Sequence, residues 1–321
     1  MIPAPGFVQR FREDLRTVAP RAATLAVAVS GGADSLALLL LAAAAAPGAV
    51  RAATVDHGLR PESAAEAKRV AGYCEALGVP HQIIEVAVRR SGAGLQAAAR
   101  EARYAALAGW MHAQAADTLL TAHHCDDQAE TLLMRLLRGS GVSGLAGIRP
   151  SAAFPAAGPE ARIARPLLGW RRETLEAIVR ASGLDPADDP SNRDEAYDRA
   201  RLRRRLAEAP WLDPVPLARS AAALADAEEA LAAMADSLFQ ERCAVEGAAL
   251  RLEPAGLPRE LLRRLVLKAL RRFAPEAAPR GDQLTALLAT LEAEGAATLA
   301  GVKCAASGGG WRFEMAPPRR G

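Results

Sequence analysis

Cysteine is scarce and scattered in this 321-residue chain. Cys74, Cys125, Cys243 and Cys304 form no Cys-x-x-Cys pair, which argues against zinc or iron–sulfur ligation and against a disulfide framework. Long apolar runs are missing as well. The run at 36–47 is mostly alanine and too short to span a bilayer. The first fifteen residues mix Arg10, Arg12, Glu13 and Asp14, leaving no apolar signal core. A soluble cytoplasmic protein with no membrane partner is expected. Lysine is rare too: of 40 basic residues only Lys68, Lys268 and Lys303 are lysine, and the net charge is only +3. Bulk charge therefore predicts no nucleic-acid partner. What remains is ordinary for a globular chain with a sizeable core, 50% hydrophobic and 24% charged.

Against these absences, Leu25–Ser35 stands out. An apolar, partly β-branched run ends in Ser30-Gly31-Gly32-Ala33-Asp34-Ser35, and an Ala/Leu-rich helix (Leu36–Ala46) follows. A strand, a glycine turn and a helix start make an anion site, because the turn exposes backbone N–H groups and the helix dipole adds positive charge. Gly31 and Gly32 permit close approach of a phosphate or a positive φ. Ser30 and Ser35 add hydroxyl donors, and Asp34 can hold a divalent cation. Neither Gly-x4-Gly-Lys-[Ser/Thr] nor Gly-x-Gly-x-x-Gly occurs at this turn.

The first two hundred residues alternate strand-like and helix-like patterns. Strands are expected at Leu25–Val29, Ala52–Val55, His81–Val88 and Thr118–Ala122, with helices at Ala64–Leu77, Leu95–Ala115 and Asp127–Leu137. This alternation predicts an α/β fold with a doubly wound parallel sheet. Ser30–Ser35, Asp56–Arg60 and His123–Asp127 all fall at the carboxyl ends of strands, where such sheets bind ligands. After Gly139, Ser140–Gly158 and Leu184–Asn192 read as loops. Two prolines in Trp211–Pro216 suggest a boundary, giving domains 1–215 and 216–321. The second begins with a long helix (Leu217–Val245) and turns α+β, with helices Leu257–Phe273 and Leu284–Glu294 and strands Thr298–Ala305 and Gly310–Met315. Pro317–Gly321 is expected to fray.

The segment His123-His124-Cys125-Asp126-Asp127-Gln128-Ala129-Glu130-Thr131 leaves the fourth strand and opens a helix. By composition alone it reads as capping, with Asp126 or Asp127 as N-cap and Glu130 near the capping-box position. Arg199, Arg201, Arg203, Arg204 and Arg205 crowd seven residues. They suit either a solvated helix face or phosphate-backbone contact. Arg259, Arg263, Arg264, Arg271 and Arg272 form a second basic run.

Ser30–Ser35 resembles the pyrophosphatase loop of the N-type ATP pyrophosphatases, which adenylate a substrate oxygen. His123–Thr131 resembles, more narrowly, the tRNA(Ile)-lysidine synthases. So do Val55-Asp56-His57-Gly58-Leu59-Arg60, Ala99-Arg100-Glu101-Ala102-Arg103-Tyr104, Arg138–Gly141, Gly144–Ile148, Arg165-Pro166-Leu167-Leu168 and Asp189-Pro190-Ser191-Asn192. The resemblance is dense over Leu25–Leu206 and weaker over Thr298–Glu314. Many members read Arg-Asn where this chain has Arg199-Ala200.

The resemblance implies ligation of free L-lysine to the wobble cytidine of the CAU-anticodon isoleucine tRNA, driven by ATP and Mg2+. It implies catalytic roles for Asp34, Arg100 and Asp127, and ATP binding by Ser30, Gly31, Gly32, Ala33, Asp34, Ser35, Val55 and His57. Asp34 and Asp127 would hold the metal, and Asp127 and Glu130 the lysine amine. Arg199, Arg201, Arg203, Arg204 and Arg205 would bind tRNA, as would the second domain. Arg100 would meet the α-phosphate or the adenylate, unless it only forms a salt bridge on its helix. The sequence leaves the oligomeric state open, a homodimer included. Two other readings compete: a related tRNA-modifying enzyme such as a 2-thiocytidine synthetase, and a catalytically inactive RNA-binding protein on the same fold. The absent cysteine pair and Ala33 (usually Lys in the thiolating enzymes) oppose the first. Asp34 and Asp127 oppose the second.

Overall fold

In the computed structural model, residues 2–58, 61–87, 95–187, 198–209 and 211–317 are described. Leu59, Arg60 and the block Asp189–Asn192, singled out above, lie outside them, as does the end of the chain from residue 318. Elements run in the order α1 (Pro5–Val18), β1 (Leu25–Ala28), α2 (Ala33–Ala45), β2 (Val50–Asp56), α3 (Ser63–Ala76), β3 (His81–Glu85), α4 (Leu95–Ala113), β4 (Thr118–Leu120), α5 (Cys125–Leu136), α6 (Val142–Leu145), β5 (Ser151–Ala153), β6 (Arg162–Ala164), α7 (Arg172–Ala181), α8 (Asp198–Ala207), α9 (Pro214–Arg242), β7 (Cys243–Glu246), β8 (Ala249–Leu252), α10 (Arg259–Phe273), α11 (Gly281–Glu292), β9 (Ala296–Leu299), β10 (Val302–Ser307) and β11 (Gly310–Met315).

The first sheet has strand order β3-β2-β1-β4-β6-β5. All neighbours are parallel except β5, which closes one edge antiparallel to β6. Alternate residues of its strands enter two different cores. Leu25, Val27, Ala52 and Leu120 join a cluster with α2 and α7, whereas Ala26, Ala53 and Leu119 join Leu107 and Met111 of α4. Because successive side chains point to opposite faces, the sheet is covered on both sides, which is why its strands carry no polar face. Helix α2 is buried from Ser35 through Ala42 and packs against α1 and α7. The order in which strands are added reverses at β1, with β2 and β3 on one side of it and β4 on the other. The crevice at that point, beyond the strand carboxyl ends, is the place where such sheets take ligands.

The structure corrects several local expectations. Helix α5 begins two residues before Asp127, with His124 and not Asp126 or Asp127 as N-cap. The stretch 140–158 holds α6, β5 and a 3₁₀ turn (Pro155–Ala157) besides loops. The long C-terminal helix ends at Arg242, and Cys243–Glu246 is a strand. The segment 298–305 is two strands around a turn at Ala300–Gly301, both at positive φ.

Two compact units divide the chain, Met1–Gly139 with Gly144–Ala222, and Ser140–Ser143 with Ala223–Gly321. In the second, an antiparallel sheet of order β7-β8-β11-β10-β9 packs on α10 and α11. Leu252, Leu265, Val302 and Phe313 are fully buried there. Arg263 and Arg264 of its basic helix are committed to carboxylates: Arg263 pairs with Glu260, and Arg264 with Glu260 and Glu228.

Candidate active site

A pocket of about 1180 Å³ opens in the first unit at the β1/β4 crevice. Its floor is the β1–α2 turn. Gly31 sits at φ +88, a conformation L side chains avoid, while Gly32 is extended and caps α2. Ser35 Oγ donates to the Gly32 carbonyl (2.9 Å) and accepts from the Ser30 N–H (3.1 Å) and hydroxyl (3.2 Å), so the turn is cross-braced. A second brace is the Ala187 N–H donated to the Gly31 carbonyl at 2.9 Å. Asp34 stands in the first turn of α2, where the dipole favours a carboxylate.

Asp127 enters from the first turn of α5, across the crevice. Between these two carboxylates lies His124, 1% exposed. Its Nε2 is 3.4 Å from Asp34 Oδ2 and 3.5 Å from Asp127 Oδ2, and its Nδ1 is 3.5 Å from Asp126 Oδ2. Burial alone would drive the imidazole neutral. Its bonds to Asp126 and Asp34, with the charge of Asp127, outweigh that and raise its pKa to about 10. Two roles compete for Nδ1: accepting the Asp127 N–H at 3.4 Å, or donating to Asp126. With carboxylates on three sides the ring stays protonated and donates. The firmer half of the cap is the His124 N–H donated to Asp127 Oδ2 at 3.1 Å. Asp126 is itself locked: burial is overcome by His124, the Arg172 N–H and Arg171, and its pKa falls to about 2.

His123, one residue earlier, is the opposite case. Burial dominates, Arg165, Arg199 and Arg100 add to it against the opposing charge of Asp127, and its pKa drops to about 4. Its Nδ1 pairs with Thr121 Oγ1 at 3.0 Å. Two adjacent histidines therefore carry different charge states, set by what surrounds each.

The pocket wall adds cations. Arg100 and Arg103 of α4 both stack near Tyr104, and Arg172, Arg180, Arg199 and Arg203 also line the cavity. Such a wall suits a polyphosphate. Ser30, Gly32, Ala33, Asp34, Ser35, Val55, His57, Arg100 and Asp127 all face it, and Gly31 belongs to the same turn. His57 is held toward neutrality by burial and by Arg103. Sequence reasoning quoted His124 and Arg103 within its motifs but gave them no role, and it passed over Arg172 and Arg180. A histidine at a strand end and arginines on helices carry no local signal of what they will face.

Glu130, expected at the lysine amine, and the α8 arginines, expected at tRNA, meet one another in the structure. Glu130 is 2% exposed and does not line the pocket. Arg199 Nε reaches it at 2.9 Å, and Arg203 grips it with Nε at 2.7 Å and Nη2 at 3.0 Å. The same guanidiniums lie 3.5 and 3.8 Å from Asp127 Oδ1. Arg201, Arg204 and Arg205 are exposed on the other side of α8.

A family model described as "PP-loop domain" matches residues 6–209. The fold is shared with a solved U34-tRNA thiolase, NcsA, from Methanococcus maripaludis (TM-score 0.52, 15% identity, covering 68% of this chain and 79% of that one). The turn, the crevice and the match define a PP-loop protein. Curated tRNA(Ile)-lysidine synthases are much nearer in sequence. That of Zymomonas mobilis is 44% identical over 312 residues, covering 97% of this chain and 94% of the relative. That of Novosphingobium aromaticivorans is 46% identical over 316 residues, covering 98% and 95%. The chain belongs to the tRNA(Ile)-lysidine synthase family. Among the described residues no helix is long and apolar enough to cross a membrane.

Proposed function

We propose that the protein uses ATP to join free L-lysine to C2 of the wobble cytidine of CAU-anticodon isoleucine tRNA, changing its identity from methionine to isoleucine. The observation that carries this reading is family membership over nearly the whole chain, with Asp34 and Asp127 brought to one pocket. Cytosine O2 attacks the α-phosphate of ATP and pyrophosphate leaves. The lysine ε-amine then attacks C2 and AMP leaves with O2.

The residues present fit Mg2+. Asp34 Oδ1 is buried with no hydrogen-bond partner, and Asp127 lines the same pocket. Among the described residues no three His, Cys, Asp or Glu side chains form a metal cluster. Mg2+ needs no such cage, since it takes one or two carboxylates and completes its shell with waters and phosphates. Bound there, it supplies charge neutralisation on the departing pyrophosphate. The β1–α2 turn offers backbone and hydroxyl donors to the same charge. Arg100, which lines the pocket, would meet the α-phosphate, and neutral His123 on the same wall would accept the proton that the amine must shed before it attacks. Asp127 holds that ammonium, and Glu130 joins it only when α8 withdraws Arg199 and Arg203. Thiolation gains no support from the cysteines: none lines the pocket, and burial raises Cys74 to about 12.

The test is transfer of radiolabelled lysine to CAU-anticodon tRNA. ATP-dependent label on the wobble cytidine is expected. Absence of label, with sulfur or ammonia incorporated instead, would overturn the reading.

A further inference from the structure

Beyond α7, residues 184–187 form a strap across the β1–α2 turn. Leu184 is buried in the core that holds Val70 of α3. Val70 and Ala187 both pack on Gly31: a Cβ placed there would meet Val70 Cγ2 at 3.4 Å and Ala187 Cβ at 3.5 Å. The Ala187 N–H donates to the Gly31 carbonyl at 2.9 Å. Tyr73 of α3 pins the strap two residues earlier. Its hydroxyl donates to the Asp185 carbonyl and accepts the Asp185 N–H, both at 3.2 Å. Arg69, one turn back on α3, adds an ion pair to the Asp185 carboxylate at 3.1 Å, exposed and therefore weak.

The Gly31–Gly32 peptide has most need of such a brace. In a trans peptide the C=O and N–H point to opposite sides, so a Gly31 carbonyl held by Ala187 turns the Gly32 N–H away from the strap. That N–H has no partner among the described residues, and Gly32 lines the nucleotide pocket. A flip of this peptide would carry Gly32 from φ −70 to positive φ, a change that glycine alone makes freely. Flipped, the peptide would meet phosphate oxygens with a carbonyl, a repelling dipole where a donor is needed. The two glycines that let phosphate come close therefore leave the donor between them free to turn. We propose that Tyr73 is a positioning residue for adenylation, acting through the strap and the Ala187 N–H to hold the Gly32 N–H toward the phosphates of ATP. This rests on the function proposed above and adds to it the device that keeps the anion site formed.

The experiment follows pyrophosphate release from ATP with CAU-anticodon tRNA and lysine, in wild type, Tyr73→Phe and Ala187→Pro. Tyr73→Phe keeps the ring that packs on the core and removes only the hydroxyl. Ala187→Pro removes the N–H itself. The kcat for pyrophosphate release should fall about threefold in Tyr73→Phe and about thirtyfold in Ala187→Pro, since outright loss of one well-aimed donor costs about a hundredfold or more. The KM for ATP should rise less than about twofold, because the donor matters most as charge develops on the departing pyrophosphate. A strap that only supports the fold would lower the melting temperature and leave the kcat of the folded variants at the wild-type value. That result would overturn the proposal, as would a loss confined to KM. If Ala187→Pro does not fold, Tyr73→Phe decides alone: a kcat loss supports the brace and an unchanged kcat removes it. Failure of the parent reading looks different, since wild type itself would then release no pyrophosphate with this tRNA, and the proposal would fall with it.

Discussion

The β1–α2 turn and the α5–α8 contact lie in one unit, yet they follow from sequence in different ways. In the turn, the hydroxyl partners all lie within five residues: Ser30, Gly32 and Ser35 hold one another, and Asp34 follows from the helix start, with the Ala187 N–H as an added brace from afar. In the contact, Glu130 meets arginines some seventy residues away. Five arginines in seven positions are equivalent as letters, and helical spacing alone divides them. Arg199 and Arg203, four apart, share a face and grip Glu130, while Arg201 and Arg205, also four apart, share the other. Local geometry is written in the motif. Choice among like charges is made by the fold.

The largest expected effect tests the turn. Asp34→Asn should keep the fold and cut ATP-dependent pyrophosphate release about a thousandfold or more, because metal-assisted charge stabilisation carries that step. Near wild-type release by a folded Asp34→Asn protein would remove Asp34 from the metal site. It would also leave the turn no richer in chemistry than the contact.

Next comes the contact. Glu130 is buried, and its removal leaves two guanidiniums facing an amide. Breaking a buried pair costs about 3–5 kcal/mol. Arg199 is 43% exposed and Arg203 31%, so solvent screening reduces the loss to about 2–3 kcal/mol. Glu130→Gln should therefore lower thermal stability more than it changes the lysine requirement. A variant of unchanged melting temperature with a sharply raised KM for lysine would reverse that assignment and return Glu130 to the amine.

The two glycines of the turn sharpen the comparison within a single motif. Gly31 holds φ +88, where an L residue is strained, whereas extended Gly32 accepts a side chain conformationally. Gly31→Ala should cost about 1–2 kcal/mol and Gly32→Ala much less. Equal melting temperatures for the two variants would mean the turn relaxes freely.

This division explains what was legible. The doubly wound sheet showed in the alternation of apolar runs with helical segments, and the crevice residues showed because three motifs ended strands on one edge. The hairpin at Ala300–Gly301 did not, since Gly301 stands alone as a turn residue and its partner Ala300, at φ +51, is not a residue type that marks one. The cap on α5 was displaced because Asp126 and Asp127 are ordinary caps by type, while the chain enters the helix at His124, whose N–H donates to the Asp127 carboxylate. Glu130 stands one helical turn from Asp127 and was expected to share its task. In the structure it lies buried beneath α8, bonded to Arg199 and Arg203, which no spacing along α5 foretells.

The smallest effect separates the two faces of α8. The triple variant Arg201→Ala, Arg204→Ala and Arg205→Ala should weaken tRNA binding and lower the slope of log affinity against log salt. The drop should be about one unit for each phosphate that is no longer neutralised, with little change in melting temperature because all three are exposed. Arg199→Ala with Arg203→Ala should do the reverse, barely moving the slope but destabilising the fold by stranding Glu130 without partners. The same protein preparations, titrated with tRNA at several salt concentrations and melted without it, supply both readouts. An unchanged slope for the triple variant would mean that the exposed arginines form only a solvated surface. A slope carried by Arg199 and Arg203 would mean that α8 swings away from Glu130 when tRNA arrives. The clasp would then be a step in the reaction, where this structure shows a resting brace.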